Sequence, residues 1–172
     1  MSLESGRYYI TSADGGFPVG RRLAEDRSLR PKGIYKLPMG TESVWEVEKL
    51  ANGSYRMKNR GATVGRGHAG FLVAFLVDEE AENAPTEWNL RFDVARAKDG
   101  DVFAWHDELI DILCSSAYGS ISERSGVLGW VLPESNDIEP YQQVHVGVLI
   151  VGPSEPPTFP PNEVFIFKRL DA

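Results

Sequence analysis

A short pattern occurs twice in the chain and, in weaker form, a third time. GRYYI leads through a small turn to FPVGR at residues 17–21, and GSYRMK leads through another to TVGRG at residues 63–67. The fainter copy reads GDVFAW, then VLGW at residues 127–130. Downstream of each copy comes a run with one large aromatic: VWEV at Trp45, EWNL at Trp88 and VFIF at Phe165. A repeat of this length means that one supersecondary unit is used three times around a shared core.

The units are built from strands. SVWEVEK (43–49) places Trp45 and Val47 opposite Val44, Glu46 and Glu48, and EWNLRFDV (87–94) turns Trp88, Leu90 and Phe92 inward. Asp14-Gly15-Gly16, Asn52-Gly53 and Asp99-Gly100 are turn signals, the second a strong hairpin signal. FLVAFLV (71–77) is a continuous apolar strand, and template matching yields about a dozen strands in all. Three four-strand units predict an all-β fold, a pseudo-threefold β-trefoil whose closure removes most free sheet edges. Residues 107–126, DELIDILCSSAYGSISERSG, stand out as an insertion in the third unit, either a helix capped by Asp107 or a strand extension and polar loop. Pro-rich GPSEPPTFPP (152–161) reads as an ordered extended loop.

With 172 residues and 42% hydrophobic content, the chain is expected to form one domain over 1–172 with a proper core and no need of disulfides. One cysteine, Cys114, allows no intrachain bridge and fits a reducing, cytoplasmic setting. MSLESGRYY lacks the basic and apolar regions of a signal peptide, and no run has membrane-spanning length. A net charge of −7 argues against nucleic acid as a partner and is what solubility alone would produce. A monomer is expected, with no membrane partner.

Against that acidic background, five basic residues of VGRRLAEDRSLRPKGIYKL (19–37), namely Arg21, Arg22, Arg27, Arg30 and Lys32, lie between two strand-like runs. The segment has no helical periodicity. Pro31 fixes its own φ and drives Arg30 out of the helical region, so the second half is extended and stiff. An extended, braced, solvated loop carrying Arg-Ser is the shape a trypsin-like protease reads. The acidic base of such a protease's primary pocket takes a long cation. Arg27 is the candidate P1 residue and Ser28 a small P1′, with Glu25, Asp26, Leu29, Arg30 and Pro31 completing the loop over residues 22–32. Glu25 and Asp26 are unfavourable neighbours for trypsin unless they accept hydrogen bonds that shape the loop. The same segment also reads as a solvated turn with local Asp–Arg pairs of little energetic worth. Arg30-Pro31 is a poor scissile bond, and Arg22-Leu23 lies too near the strand. Asn59 and Arg60, in the turn Lys58-Asn59-Arg60-Gly61, form a second candidate loop, for an asparagine-specific cysteine protease or for trypsin; Asn-x-Gly is also ordinary turn chemistry.

SLESGRYYI, VGRRLAEDRSLRPKGIYKLP, WEVEKLANGSYRMK and PPTFPPNEVFIF together resemble the cospin-type serine protease inhibitors of mushrooms. These are β-trefoil proteins related in fold to the mycocypin cysteine protease inhibitors. The resemblance implies an intracellular inhibitor of trypsin-like enzymes acting through one exposed loop, with the target left open by the fold.

Enzyme readings are weak. Cys114 with His106 or His145 has no local signature of a nucleophile and base, and His68, His106 and His145 lack metal-ligand spacing, so neither metal nor cofactor is expected. GRGHAG (65–70) lacks the Lys-Ser/Thr of a phosphate loop and reads as a turn. The rival function is a carbohydrate-binding β-trefoil lectin. The Gln-x-Trp of ricin-type repeats is absent, since Gln142 and Gln143 are the only glutamines, and Trp45, Trp88, Trp105 and Trp130 read as core or rim.

Overall fold

The sequence repeat becomes three units of four strands each. The computed structural model describes residues 2–92, 116–123, 126–133, 141–154 and 158–170. The first unit holds β1 (Gly6–Ser12), β2 (Val19–Arg21), β3 (Lys32–Lys36) and β4 (Val44–Lys49). The second holds β5 (Tyr55–Asn59), β6 (Ala62–Arg66), β7 (Leu72–Phe75) and β8 (Glu87–Phe92). The third holds β9 (Ser116–Glu123), β10 (Leu128–Val131), β11 (His145–Val148) and β12 (Phe165–Arg169).

The outer strands of each unit close a ring. Antiparallel pairing runs β1 to β4, β4 to β5, β5 to β8, β8 to β9, β9 to β12 and β12 back to β1. The inner strands form the hairpins β2–β3, β6–β7 and β10–β11. Those hairpins touch one another through β3 and β7 and through the bridges Phe71↔His145 and Tyr35↔Gln143. A six-stranded barrel capped by three hairpins is a β-trefoil. Every barrel strand has two neighbours, so the ring leaves no open edge. Among the described residues, no helix is long and apolar enough to cross a membrane.

The third unit corrects one sequence expectation. Residues 116–123 were counted within the insertion, yet they are the barrel strand β9. The small, hydroxyl-rich run SAYGSISE has little strand signature, but its Ser120, Ile121 and Ser122 are fully buried between β8 and β12. GDVFAW, the first strand expected for that unit, lies outside the described residues, as do Asp107 with its expected helix, Cys114, His106 and Trp105.

The three downstream aromatics meet at the centre. Trp45, Trp88 and Phe165 sit in the fourth strands β4, β8 and β12 and are fully buried. Trp130 of β10 stands among them, its ring 5.4 Å from Trp45, 5.5 Å from Trp88 and 5.6 Å from Phe165. Trp45 Nε1–H donates to the Val19 carbonyl at 2.8 Å, and Trp88 Nε1–H donates to that of Val64 at 3.0 Å. Each bond ties a barrel strand to its own unit's hairpin. The glycine that follows in Val-Gly-Arg is a consequence of that closeness. A Cβ on Gly65 would come within 2.6 Å of the Pro85 carbonyl oxygen, and one on Gly20 would collide with Ser43.

Candidate functional site

The loop between β2 and β3 spans residues 22–31 and is held at its first end by the neighbouring repeat. The backbone N–H of Arg21 donates to Asn59 Oδ1 at 3.0 Å, while Asn59 Nδ2 donates to Ser43 Oγ and to the Val44 carbonyl. One residue on, Arg60 Nη1 donates to the Arg22 carbonyl at 2.8 Å. The Arg22 guanidinium lies over the Tyr35 ring, 4.1 Å from its centroid, and 4.7 Å from that of Tyr141. Such cation–π contacts contribute about 0.5–1 kcal/mol each at exposed sites.

The middle of the loop is shaped by its two acidic residues. Glu25 receives a two-pronged contact from the buried Arg21 guanidinium, at 3.0 Å from Nε and 2.5 Å from Nη2. Paired forks of this kind are stronger and more directional than single ionic contacts. Asp26 Oδ1 accepts the Ser28 backbone N–H at 2.8 Å, the Ser28 hydroxyl, and Lys32 Nζ at 2.6 Å. Lys32 is buried at the start of β3, where it pairs with Ala74 of β7, so the contact fastens the loop to the sheet. Hydrogen bonds from Lys32 and Ser28 hold the Asp26 carboxyl well below the usual carboxylate range.

These pairings make Glu25 and Asp26 hydrogen-bond acceptors that shape the loop. Both carboxylates are satisfied by cations of the scaffold. Arg27, Leu29, Arg30 and Pro31 are exposed, and neither Arg27 nor Arg30 forms an ion pair among the described residues. Arg27 therefore stands in solvent between an anchored Asp26 and an anchored Ser28.

The second candidate loop has a different geometry. Asn59 is fully buried, and both ends of its amide are engaged. Arg60 and Gly61 form a tight two-residue turn between β5 and β6, with φ of 52° and 77°, far from the extended backbone a protease cleft binds. The structure thus brings Asn59 and Arg60 together with Arg21 and Arg22, as supports of the first loop. Sequence reasoning named these residues for another role. It missed the supporting parts of Lys32, Tyr35 and Tyr141, which no local motif marks.

The fold has counterparts among known proteins. The sequence profile of the peptidase inhibitor I66 family matches residues 1–106 and 115–169. The chain belongs to that family. A curated relative, a serine protease inhibitor of Lentinula edodes, is 35% identical over 99% of this chain and the whole of its own length. The solved structure of a proteinase inhibitor from Coprinopsis cinerea superposes with a TM-score of 0.77 at 32% identity, covering 98% of this chain and all of that one. A ricin B-like lectin of Macrolepiota procera (TM-score 0.62, 14% identity, 99% of each chain) shares the fold alone. The same holds for a designed threefold-symmetric protein (TM-score 0.60, 14% identity, 96% of this chain and 99% of that one). The family and the relative are inhibitors of proteases, not enzymes.

Proposed function

We propose that this protein inhibits trypsin-like serine proteases by presenting the loop over residues 22–32, with Arg27 as P1 and Ser28 as P1′. The observation that carries the reading is the solvent-exposed Arg27, without an ion pair among the described residues, between two residues pinned by the scaffold. The acidic base of a trypsin-like pocket offers that cation its counter-charge. A loop already held in shape also loses less freedom on binding, which raises affinity without adding contacts. Leu29, Arg30 and Pro31 extend the contact on the downstream side. The protein acts as a monomer in the cytoplasm, with a protease as its partner.

The asparagine-directed reading has no support in the geometry, because a protease would have to extract Asn59 from the interior. A lectin function rests on the fold alone, since Trp45, Trp88 and Trp130 are all fully buried. The deciding experiment titrates trypsin with the wild-type protein and with Arg27→Glu. Stoichiometric inhibition that vanishes in the variant is expected. Equal inhibition by both proteins would place the site elsewhere, and no inhibition by either would end the trypsin reading.

A further inference from the structure

This inference rests on Arg27 as the residue presented to the protease, which makes Arg27–Ser28 the bond under attack. The residues flanking that bond are joined to each other across it. Asp26 Oδ1, on the acyl side, accepts both the backbone N–H and the hydroxyl of Ser28, on the amine side. Lys32 Nζ donates to Asp26 Oδ1 at 2.6 Å and to Ser28 Oγ at 3.1 Å, so a single ammonium on β3 holds both sides. Lys32 is only 6% exposed and anchored in a paired strand, whereas the Asp26 side chain is 73% exposed.

We propose that Asp26, Ser28 and Lys32 form a clamp across the Arg27–Ser28 peptide bond that retains the new amine after cleavage and favours resealing over release. In the forward step the protease serine oxygen bonds to the Arg27 carbonyl carbon and the carbon–nitrogen bond breaks. The protease histidine passes the serine's proton to the Ser28 nitrogen, leaving a neutral amine. That amine still donates to Asp26, and the hydroxyl of the same residue remains tied to Lys32. Its lone pair is thereby kept beside the acyl carbon. Resealing reverses each transfer: nitrogen attacks carbon, its extra proton returns through the histidine, and the serine oxygen leaves carrying it. No water is consumed. Holding the amine in place gives it a high effective concentration, which a hydrolytic water must outcompete. Asp26 accepts the N–H of the reacting nitrogen without taking its proton, and Lys32, which touches no reacting atom, is a positioning residue.

The test incubates equimolar trypsin with the wild-type protein and with Asp26→Ala, Asp26→Asn, Lys32→Met and Arg27→Glu, following inhibition over time and Arg27–Ser28 cleavage by mass spectrometry. Thermal unfolding of each variant is recorded in parallel. Asp26→Ala is expected to inhibit at first and then fail, with cleavage about tenfold faster than wild type, the scale of losing a charge-assisted hydrogen bond. The increase should lie in kcat for cleavage more than in KM. Asp26→Asn, which keeps an acceptor for Ser28, falls between the two, and Lys32→Met moves the same way as Asp26→Ala. If Asp26→Ala and Lys32→Met are cleaved no faster while Arg27→Glu loses inhibition, the clamp is wrong and Arg27 still stands as P1. Loss of initial binding without faster cleavage also overturns the clamp. If no protein is cut at Arg27–Ser28 and Arg27→Glu inhibits like wild type, both readings fall.

Discussion

Asn59 Oδ1 accepts the backbone N–H of Arg21, so a side chain of the second repeat fixes the residue from which the loop of the first repeat departs. The same amide donates to Ser43 and Val44, which makes Asn59 a three-way joint between β2, β4 and β5. The pseudo-symmetry of the fold places the β5–β6 turn under the β2–β3 loop. The two candidate loops are in this sense one structure.

Asn59→Ala therefore tests support, not specificity. It strands the buried Arg21 N–H, an omission that costs about 1–3 kcal/mol per unsatisfied group. Urea unfolding should show a loss of that size, and trypsin inhibition should weaken while the preference for an arginine at position 27 persists. A variant as stable and as inhibitory as wild type would remove Asn59 from this role.

Arg60 makes a smaller contribution of the same kind. Its left-handed backbone suits glycine, so Arg60→Gly relieves roughly 1 kcal/mol of strain while giving up the bond to the Arg22 carbonyl. We expect unfolding stability to change little and inhibition to drop only a few-fold, in contrast to the complete loss in Arg27→Glu. Complete loss in Arg60→Gly would identify Arg60 as a primary contact.

The central tryptophans should respond unequally to phenylalanine. Trp45→Phe and Trp88→Phe each delete a buried hydrogen bond to a hairpin carbonyl, worth about 1 kcal/mol beyond the lost volume. Trp130 Nε1 is buried with no hydrogen-bond partner among the described residues, so Trp130→Phe removes a donor that is costly to bury. Chemical denaturation of the three variants should rank Trp130→Phe as the mildest. An equal or larger loss there would show that ring volume, not bonding, dominates the centre.

Glu163 couples stability to pH. It is almost fully buried in the turn Pro161–Glu163 and accepts the Ile150 N–H at 3.0 and 2.9 Å. Burial pushes its pKa up from 4.5, outweighing the opposing hydrogen bond. A raised folded-state pKa means that its stabilisation is full below the unfolded value and is lost as pH rises through the folded one. Glu163→Gln keeps an acceptor without the charge. Its unfolding midpoint should thus gain on the wild type as pH rises from the usual carboxylate range upwards. A gap that stays constant over that rise would contradict the shift.

The sequence by itself determined the fold, because a threefold repeat of strand, turn and Val-Gly-Arg leaves few ways to close a sheet. Trp45, Trp88 and Phe165 could be assigned to equivalent strands, since each large aromatic stands out in a short alternating run. The exposure of the Arg27-Ser28 segment was equally legible, since the density of charge marks a solvated loop locally, but its backbone bends over residues 27–30 where Pro31 led to the expectation of an extended course. Strand β9 was not, because its buried serines lack the hydrophobic signal that marks a strand. Only the tertiary structure decided which charges are engaged. Asp26 with Lys32 and Glu25 with Arg21 are neighbours in the chain, but their pairing depends on where β2 and β3 direct the side chains. Asn59 and Arg60 reach their partners across 38 residues of chain. Whether a polar residue faces solvent or braces a neighbouring loop is set by barrel closure and the packing of the hairpins, and neither leaves a trace in local sequence.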